Sequence, residues 1–146
     1  VAQEVQQILK AQALPPDQVI EYMLNARMKD NREQYFLYMN LESLYMKDAG
    51  RSVRYKRLSE MDRLKALDDY RSVLWDGGQS DQVGMRPDQY EIIKSTITQG
   101  RNAEVEVIQK YRNPGFTEIK YFRYKLQRID QIWYLMDYTV MNKGTE

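Results

Sequence analysis

The chain has 146 residues, with 22 Lys and Arg against 21 Asp and Glu, a net charge of +1, and neither His nor Cys. Without those two residue types it cannot carry a Cys nucleophile, a His-assisted catalytic serine, the usual kind of zinc site or a disulfide. The apolar content of 42% indicates one folded domain with a substantial core, and the balanced charge argues against nucleic acid as the partner.

Residues 1–14 are predicted to be a lead-in segment or tether, because Gln residues surround a thin apolar stripe and Pro15-Pro16 ends it. The domain itself is predicted to span residues 15–146. No stretch of the sequence approaches the roughly 20 apolar residues that cross a bilayer. Because the chain begins at Val1 and not at Met, we expect an export signal or a membrane anchor to precede it in the full-length protein.

Three amphipathic helices are predicted in the first half of the chain. Each begins at a capping signal, such as the capping box that Asp30 and Glu33 form, and apolar residues then recur at helical spacing. The last of the three begins after Ser59, a typical N-cap residue. The predicted helices cover residues 16–28, 31–47 and 59–75.

Two regions of the sequence alternate as β-strands do. Residues 51–58 are predicted to be a short strand, since Val53 and Tyr55 fall on one side of it and basic residues on the other. After Pro87 the hydrophobic period falls from about 3.6 to about 2 residues, and tight turns at residues 100–102 and 113–115 separate the apolar runs. The sequence therefore predicts a four-stranded antiparallel meander that ends in strands at residues 117–128 and 132–141.

Two segments resemble a known family. Residues 15–26 (PPDQVIEYMLNA), followed by Asp30-Asn31, resemble the opening of small bacterial, often lipoprotein-like members of the nuclear-transport-factor-two-like superfamily. Residues 131–140 (QIWYLMDYTV) resemble its terminal strand. The resemblance implies an α+β fold in which three N-terminal helices pack in the concavity of a curved, cone-like antiparallel sheet. The superfamily hosts isomerases, dehydratases, transport adaptors and secretion-system scaffolds, so the resemblance leaves the function open.

Asp137 is a candidate catalytic residue. The resemblance implies that isomerases of this superfamily use an interior carboxylate as the base, and Asp137 lies in the middle of the last predicted strand on an otherwise apolar face. The competing interpretation is an Asp at the margin of the sheet, or a structural ion pair with Arg123 or Lys125 on the neighbouring strand. No catalytic motif accompanies Asp137, so we favour a protein that is not an enzyme.

A ligand pocket inside the cone is a second hypothesis. Twelve Tyr and eight Met residues are a compositional excess, and several lie on helices where they would form an adaptable apolar cavity. This hypothesis gives the alternative function, a small-molecule-binding domain or a cofactor-free, isomerase-like enzyme. The competing interpretation is ordinary core packing. The candidate pocket residues are Tyr22, Tyr35, Tyr38, Tyr70, Met23 and Met39.

Two basic clusters, at residues 47–57 and 101–128, are interleaved with aromatic residues. This combination is compatible with weak binding of anions or nucleic acid. A solvated sheet face with cross-strand Glu and Lys pairs explains the same residues, and we favour that interpretation.

The function we favour is a non-catalytic protein-interaction or assembly module. The exposed face of the meander would contact a protein partner or a second copy of the chain, because aromatic residues and Arg are typical of interface hot spots. We expect no cofactor, no metal, and a membrane connection only through a segment absent from this chain. The lipoprotein-like resemblance implies an extracytoplasmic or membrane-anchored protein, with a cytoplasmic one as the alternative. The predicted contact residues are Tyr121, Arg123, Tyr134 and Tyr138.

Overall fold

The computed structural model describes residues 13–77 and 81–146. The predicted lead-in therefore lies outside the described residues, except for Ala13 and for Leu14, which packs against the core. Within the described part of the chain, five α-helices precede the sheet, and none of them is long and apolar enough to cross a membrane. The helices are α1 (Pro16–Met28), α2 (Arg32–Phe36), α3 (Leu41–Tyr45), α4 (Ala49–Lys56) and α5 (Glu60–Trp75).

Four antiparallel strands follow a short 3-10 turn at Gln82–Gly84 and form one curved, open sheet. The strand order in the sheet is the order in the chain, so the predicted meander is confirmed. The α+β class, with the helices before the strands, is confirmed as well. The strands are β1 (Gln89–Thr98), β2 (Asn102–Asn113), β3 (Phe116–Ile129) and β4 (Ile132–Thr145).

The first and last predicted helices are present with their expected starts. Pro15 and Pro16 open α1, and Asp17 lies in its first turn, where a carboxylate interacts favourably with the helix dipole. The backbone N–H of Asp62 donates to Ser59 Oγ (3.2 Å), which makes Ser59 the N-cap of α5. Local sequence signals were therefore sufficient to predict where both helices begin.

The prediction of one helix over residues 31–47 was wrong, because the chain leaves the helix to bond to the last strand. Leu135 N–H donates to the carbonyl of Tyr38 (2.8 Å), and Asn40 N–H donates to the carbonyl of Leu135 (2.9 Å). Asn40 then caps α3, its side chain accepting from the N–H of Ser43 (3.0 Å). Two short helices on either side of this bridge, α2 and α3, replace the predicted one.

The strand predicted at residues 51–58 was also wrong, since residues 51–56 belong to α4. The backbone N–H of Arg51 donates to Asp48 Oδ1 (2.9 Å), so Asp48 caps the helix. Val53 and Tyr55 would share a face in a strand, but Tyr55 is 4% exposed and Val53 is 52% exposed. Residues two positions apart on a helix lie on nearly opposite sides of it, which explains why one of these side chains is buried and the other exposed. Together with the split helix, this gives five helices where three were predicted.

The hydrophobic core lies between the helices and one face of the sheet, here called the core face. Alternate residues of β2 and β3 point into it, as the period-2 pattern predicts. The opposite face of the sheet, here called the outer face, carries mainly polar and charged residues. Fully buried core residues include Ile20, Met23, Leu24, Leu44, Leu74, Val105, Phe122, Tyr124, Leu126 and Leu135.

Candidate functional site

Two of the predicted contact residues, Tyr121 and Arg123, are neighbours on the outer face of β3. The Arg123 guanidinium lies 3.4 Å from the Tyr121 hydroxyl, and that hydroxyl donates to the carboxylate of Glu106 on β2. Arg123 is also 3.8 Å from Glu104 and 3.9 Å from Glu106. Burial and the bond to Glu106 raise the pKa of Tyr121. This part of the outer face is therefore a solvated network of cross-strand charge pairs.

An apolar row crosses the outer face beside these charges. Ile108 on β2 is aligned with Tyr121, and Tyr121 is aligned with Met141 on β4. Met141 is 56% exposed, and the Lys143 ammonium lies 5.3 Å from the centre of the Tyr121 ring. Aromatic residues, Met and Arg are enriched in protein interfaces, so this surface, here called the Tyr121 row, has the composition of a contact site.

Tyr138, the third predicted contact residue, is on the wrong side of the sheet for that role. The register of β3 and β4 shifts between Lys125 and Leu126, which leaves Met136 as an extra residue in β4. Because of this bulge, Tyr138 shares the core face with Leu135 and is only 5% exposed. Strict alternation had placed it on the exposed face.

Tyr134, the fourth, is partly exposed but far along the sheet from the Tyr121 row. It lines an open groove of about 540 Å³ between the β3–β4 hairpin and the helices. Its charged lining residues are Glu42, Arg71 and Asp130. Its apolar lining residues are Phe36, Met39, Leu41, Leu67, Ile129 and Tyr134.

The exposed apolar side of α5 was missed by sequence reasoning. Met61, Leu64 and Leu67 recur at helical spacing, a pattern that is typical of the buried side of an amphipathic helix. In the structure Leu67 packs against the core, whereas Met61 is 81% exposed and Leu64 is also exposed. The charged residues Glu60 to Lys65 around Met61 and Leu64 were the available signal, since they mark a helical turn surrounded by solvent.

The candidate pocket residues form part of the packed core. Tyr35, Tyr38, Tyr70, Met23 and Met39 are buried in it, and the partly buried Tyr22 meets Tyr38 edge to face at 5.4 Å between ring centres. The Tyr35 hydroxyl donates to the carbonyl of Val83 (2.8 Å). Burial raises the pKa of Tyr38 to about 12. These features match the competing interpretation, in which the side chains fill the core.

Asp137 lies in a surface ion pair. Its Oδ1 is 3.2 Å from the Lys47 ammonium, and its side chain is 41% exposed. Lys125 is its register neighbour on β3, as expected, but the salt bridge forms with Lys47 between α3 and α4. The N–H of Tyr138 also donates to Asp137 Oδ1 (2.7 Å). Asp137 therefore lies at the surface of the protein and not in its apolar interior.

A buried polar cluster, which the sequence did not single out, joins α4, β4 and the loop before β1. Arg51 Nη2 lies 2.9 Å from Asp81 Oδ2, and the Tyr138 hydroxyl donates to Asp81 Oδ1 (3.1 Å). The Arg51 guanidinium is 5.1 Å from the ring centres of Tyr45 and Tyr70. Every charge in the cluster is paired, so it serves as a structural link. Among the described residues, no group of three or more acidic side chains is suited to a metal ion.

A protein-family model matches most of the chain. The model described as flagellar collar protein C, C-terminal domain, matches residues 17–146. The matched range includes all five helices except the first residue of α1, and all four strands. No curated protein matches the chain.

Proposed function

We propose that this chain, which belongs to the family of flagellar collar protein C C-terminal domains, is a non-catalytic structural or assembly module of a flagellar collar. The family match over residues 17–146 carries the proposal. The described surface supports it, because exposed apolar and aromatic residues lie beside charge pairs. The candidate pocket residues are packed in the hydrophobic core, which also favours a non-catalytic role.

The contact surface that we propose is the Tyr121 row on the outer face. Its partner is another protein of the collar. Tyr121, Met141 and Arg123 combine the residue types that dominate interface energies, and the neighbouring charges would set orientation and partner choice. The packed core offers no comparable support for the alternative of a small-molecule-binding domain or an isomerase.

We further propose that the full-length protein is extracytoplasmic and associated with the membrane through a segment outside this chain. Membership in a flagellar collar family supports a position in the flagellar or cell-envelope region. We also propose that the domain is related to the nuclear-transport-factor-two-like superfamily. The curved antiparallel sheet with helices on one face supports that relation.

The test uses the full-length protein, tagged and expressed from its own gene in the flagellated host. Met141→Glu introduces a charge into the Tyr121 row, where Met141 is 56% exposed, so the variant should fold. Val53→Glu is the matched control, since Val53 is 52% exposed on α4, away from that row. Electron cryotomography of the cells and localisation of the tag report whether collars form.

We expect Met141→Glu to remain folded by circular dichroism yet to be lost from the flagella, while Val53→Glu is incorporated normally. A second strain lacks residues 17–146. If that strain still forms intact collars that lack no density, the assembly role itself is refuted. Intact collars with Met141→Glu alone would refute the contact surface.

A further inference from the structure

The two edge strands of the sheet differ in the hydrogen bonds that the rest of the molecule makes to them. On β4, the N–H and carbonyl of Leu135 bond to Tyr38 and Asn40. The carbonyl of Met136 accepts from Ser43 Oγ (2.8 Å), and that of Tyr138 accepts from the Lys47 ammonium. The helical layer therefore caps the first half of β4.

The other edge has no such cap. Within residues 13–77 and 81–146, no strand, isolated bridge or side chain bonds to the outer edge of β1. Every residue from Ile93 to Thr98 is exposed, and Ile97 is 54% exposed. An uncapped edge presents a row of unpaired N–H and carbonyl groups that can pair with another strand.

We propose that the outer edge of β1 pairs antiparallel with the same edge of a second copy of this chain, which joins two four-stranded sheets into one of eight strands. The inference deepens the proposed assembly role, on which it rests. The paired segment is Lys94–Thr98. The bulge between Ile92 and Lys94 marks its beginning, because the extra residue there interrupts a regular edge.

The composition of this segment favours a second copy as the occupant. Lys94 is its single charged residue, and its Ile and Thr residues are types that are enriched in strands. A two-fold axis at Thr96 puts Thr96 opposite its own copy and Lys94 opposite Thr98. The two Lys94 residues are then offset by four residues, about 13 Å, which is beyond the distance at which exposed charges interact strongly in physiological salt.

The same register buries exposed apolar surface. Ile97 is aligned with Ala103, a buried residue of the core face. In the pair, Ile97 lies opposite Ser95 of the second copy, so the two Ile97 side chains are diagonal neighbours on one face. Diagonal cross-strand residues are about 7 to 8 Å apart, within reach of Ile side chains. The contact thus adds side-chain burial to the backbone hydrogen bonds.

Sedimentation velocity over a range of concentrations tests the proposal on the purified chain. Thr96→Lys places two ammonium groups opposite each other in the pair, but within one copy it lies beside Glu104, so folding should be preserved. Thr145→Lys is the matched control, an exposed Thr of β4 aligned with Glu118. We expect the native chain and Thr145→Lys to dimerise, and Thr96→Lys to associate at least about tenfold more weakly.

A cross-linking experiment locates the contact. The chain has no Cys, so Thr96→Cys introduces one thiol, which under mild oxidation should link two copies, whereas Thr145→Cys should not. A native chain that is monomeric at all concentrations, or Thr96→Lys dimers as strong as the native ones, would overturn the inference. These measurements on purified chain are independent of collar formation in cells, so a failure here and a failure of the proposed function are distinguishable.

Discussion

Asp81 shows how much one residue can depend on contacts that sequence patterns do not reveal. It stands in the loop before β1, it is buried, and it pairs with Arg51 and accepts from Tyr138. The sequence assigned Arg51 to a strand and Tyr138 to an exposed surface, so neither could be connected to Asp81. Capping residues such as Ser59 were predictable, because their partners lie three residues away.

We predict that Asp81→Ala lowers the free energy of unfolding by roughly 3 kcal/mol, because it leaves the Arg51 guanidinium and the Tyr138 hydroxyl without their shared partner. Urea denaturation at neutral pH measures the loss. Asp68→Ala is the control, since the Asp68 side chain is 71% exposed and its pair with Arg71 should contribute less than about 0.5 kcal/mol. Equal effects of the two substitutions would contradict the role of Asp81.

At the scale of elements, the strands and the long helices were predictable, while the segment from residue 31 to 58 was not. Hydrophobic periodicity reports which side of an element is buried, but residues 51–58 alternate as a strand does while forming a helix. Asp48 was the overlooked signal, an N-cap residue directly before α4. The break between α2 and α3 depends on Leu135, which no local pattern could indicate.

We predict that Asp48→Ala reduces both helix content and the urea midpoint, whereas Asp48→Asn, which keeps an accepting side chain but not the charge, reduces them less at pH 7. The hydrogen bond from the Arg51 N–H lowers the pKa of Asp48. A carboxyl with a lowered folded-state pKa contributes stability above its unfolded value, and the contribution is lost as the pH falls through the folded value. The gap between the native chain and Asp48→Ala should therefore narrow at about pH 3.

Circular dichroism and urea denaturation at pH 7 and pH 3 check this prediction. A gap that does not change with pH would show that the ionised carboxylate of Asp48 does not contribute. No effect of Asp48→Ala at any pH would contradict the helical assignment of residues 49–56.

For the whole molecule, the change of hydrophobic period after Pro87 predicted the order of helices and strands and the meander. It could not predict which face each β4 residue occupies, because the bulge at Met136, the fifth residue of the strand, reverses the alternation from there on. For this reason the predicted contact residues do not all lie on one face of the sheet. Tyr121 and Arg123 are together on the outer face, whereas Tyr138 is in the core.

The helices and the sheet share one core, so we predict that they unfold in one transition. Trp75 ends α5 and Trp133 lies in β4, which allows each layer to be followed separately. In Trp75→Phe the fluorescence reports on the sheet, and in Trp133→Phe on the helices. In each variant the fluorescence midpoint in urea should equal the circular dichroism midpoint of the same variant. Two different midpoints within one variant would contradict a shared core.

The bridge between Met39 and Leu135 also bears on how the chain reaches its native state. It is a parallel pairing between a helical connection in the first third of the sequence and the last strand. Contacts so distant in sequence slow folding, because a long loop must close before they form. During synthesis, α2 and α3 emerge well before Leu135, so the bonds that join the segment between these two helices to β4 cannot form until nearly the whole domain has left the ribosome.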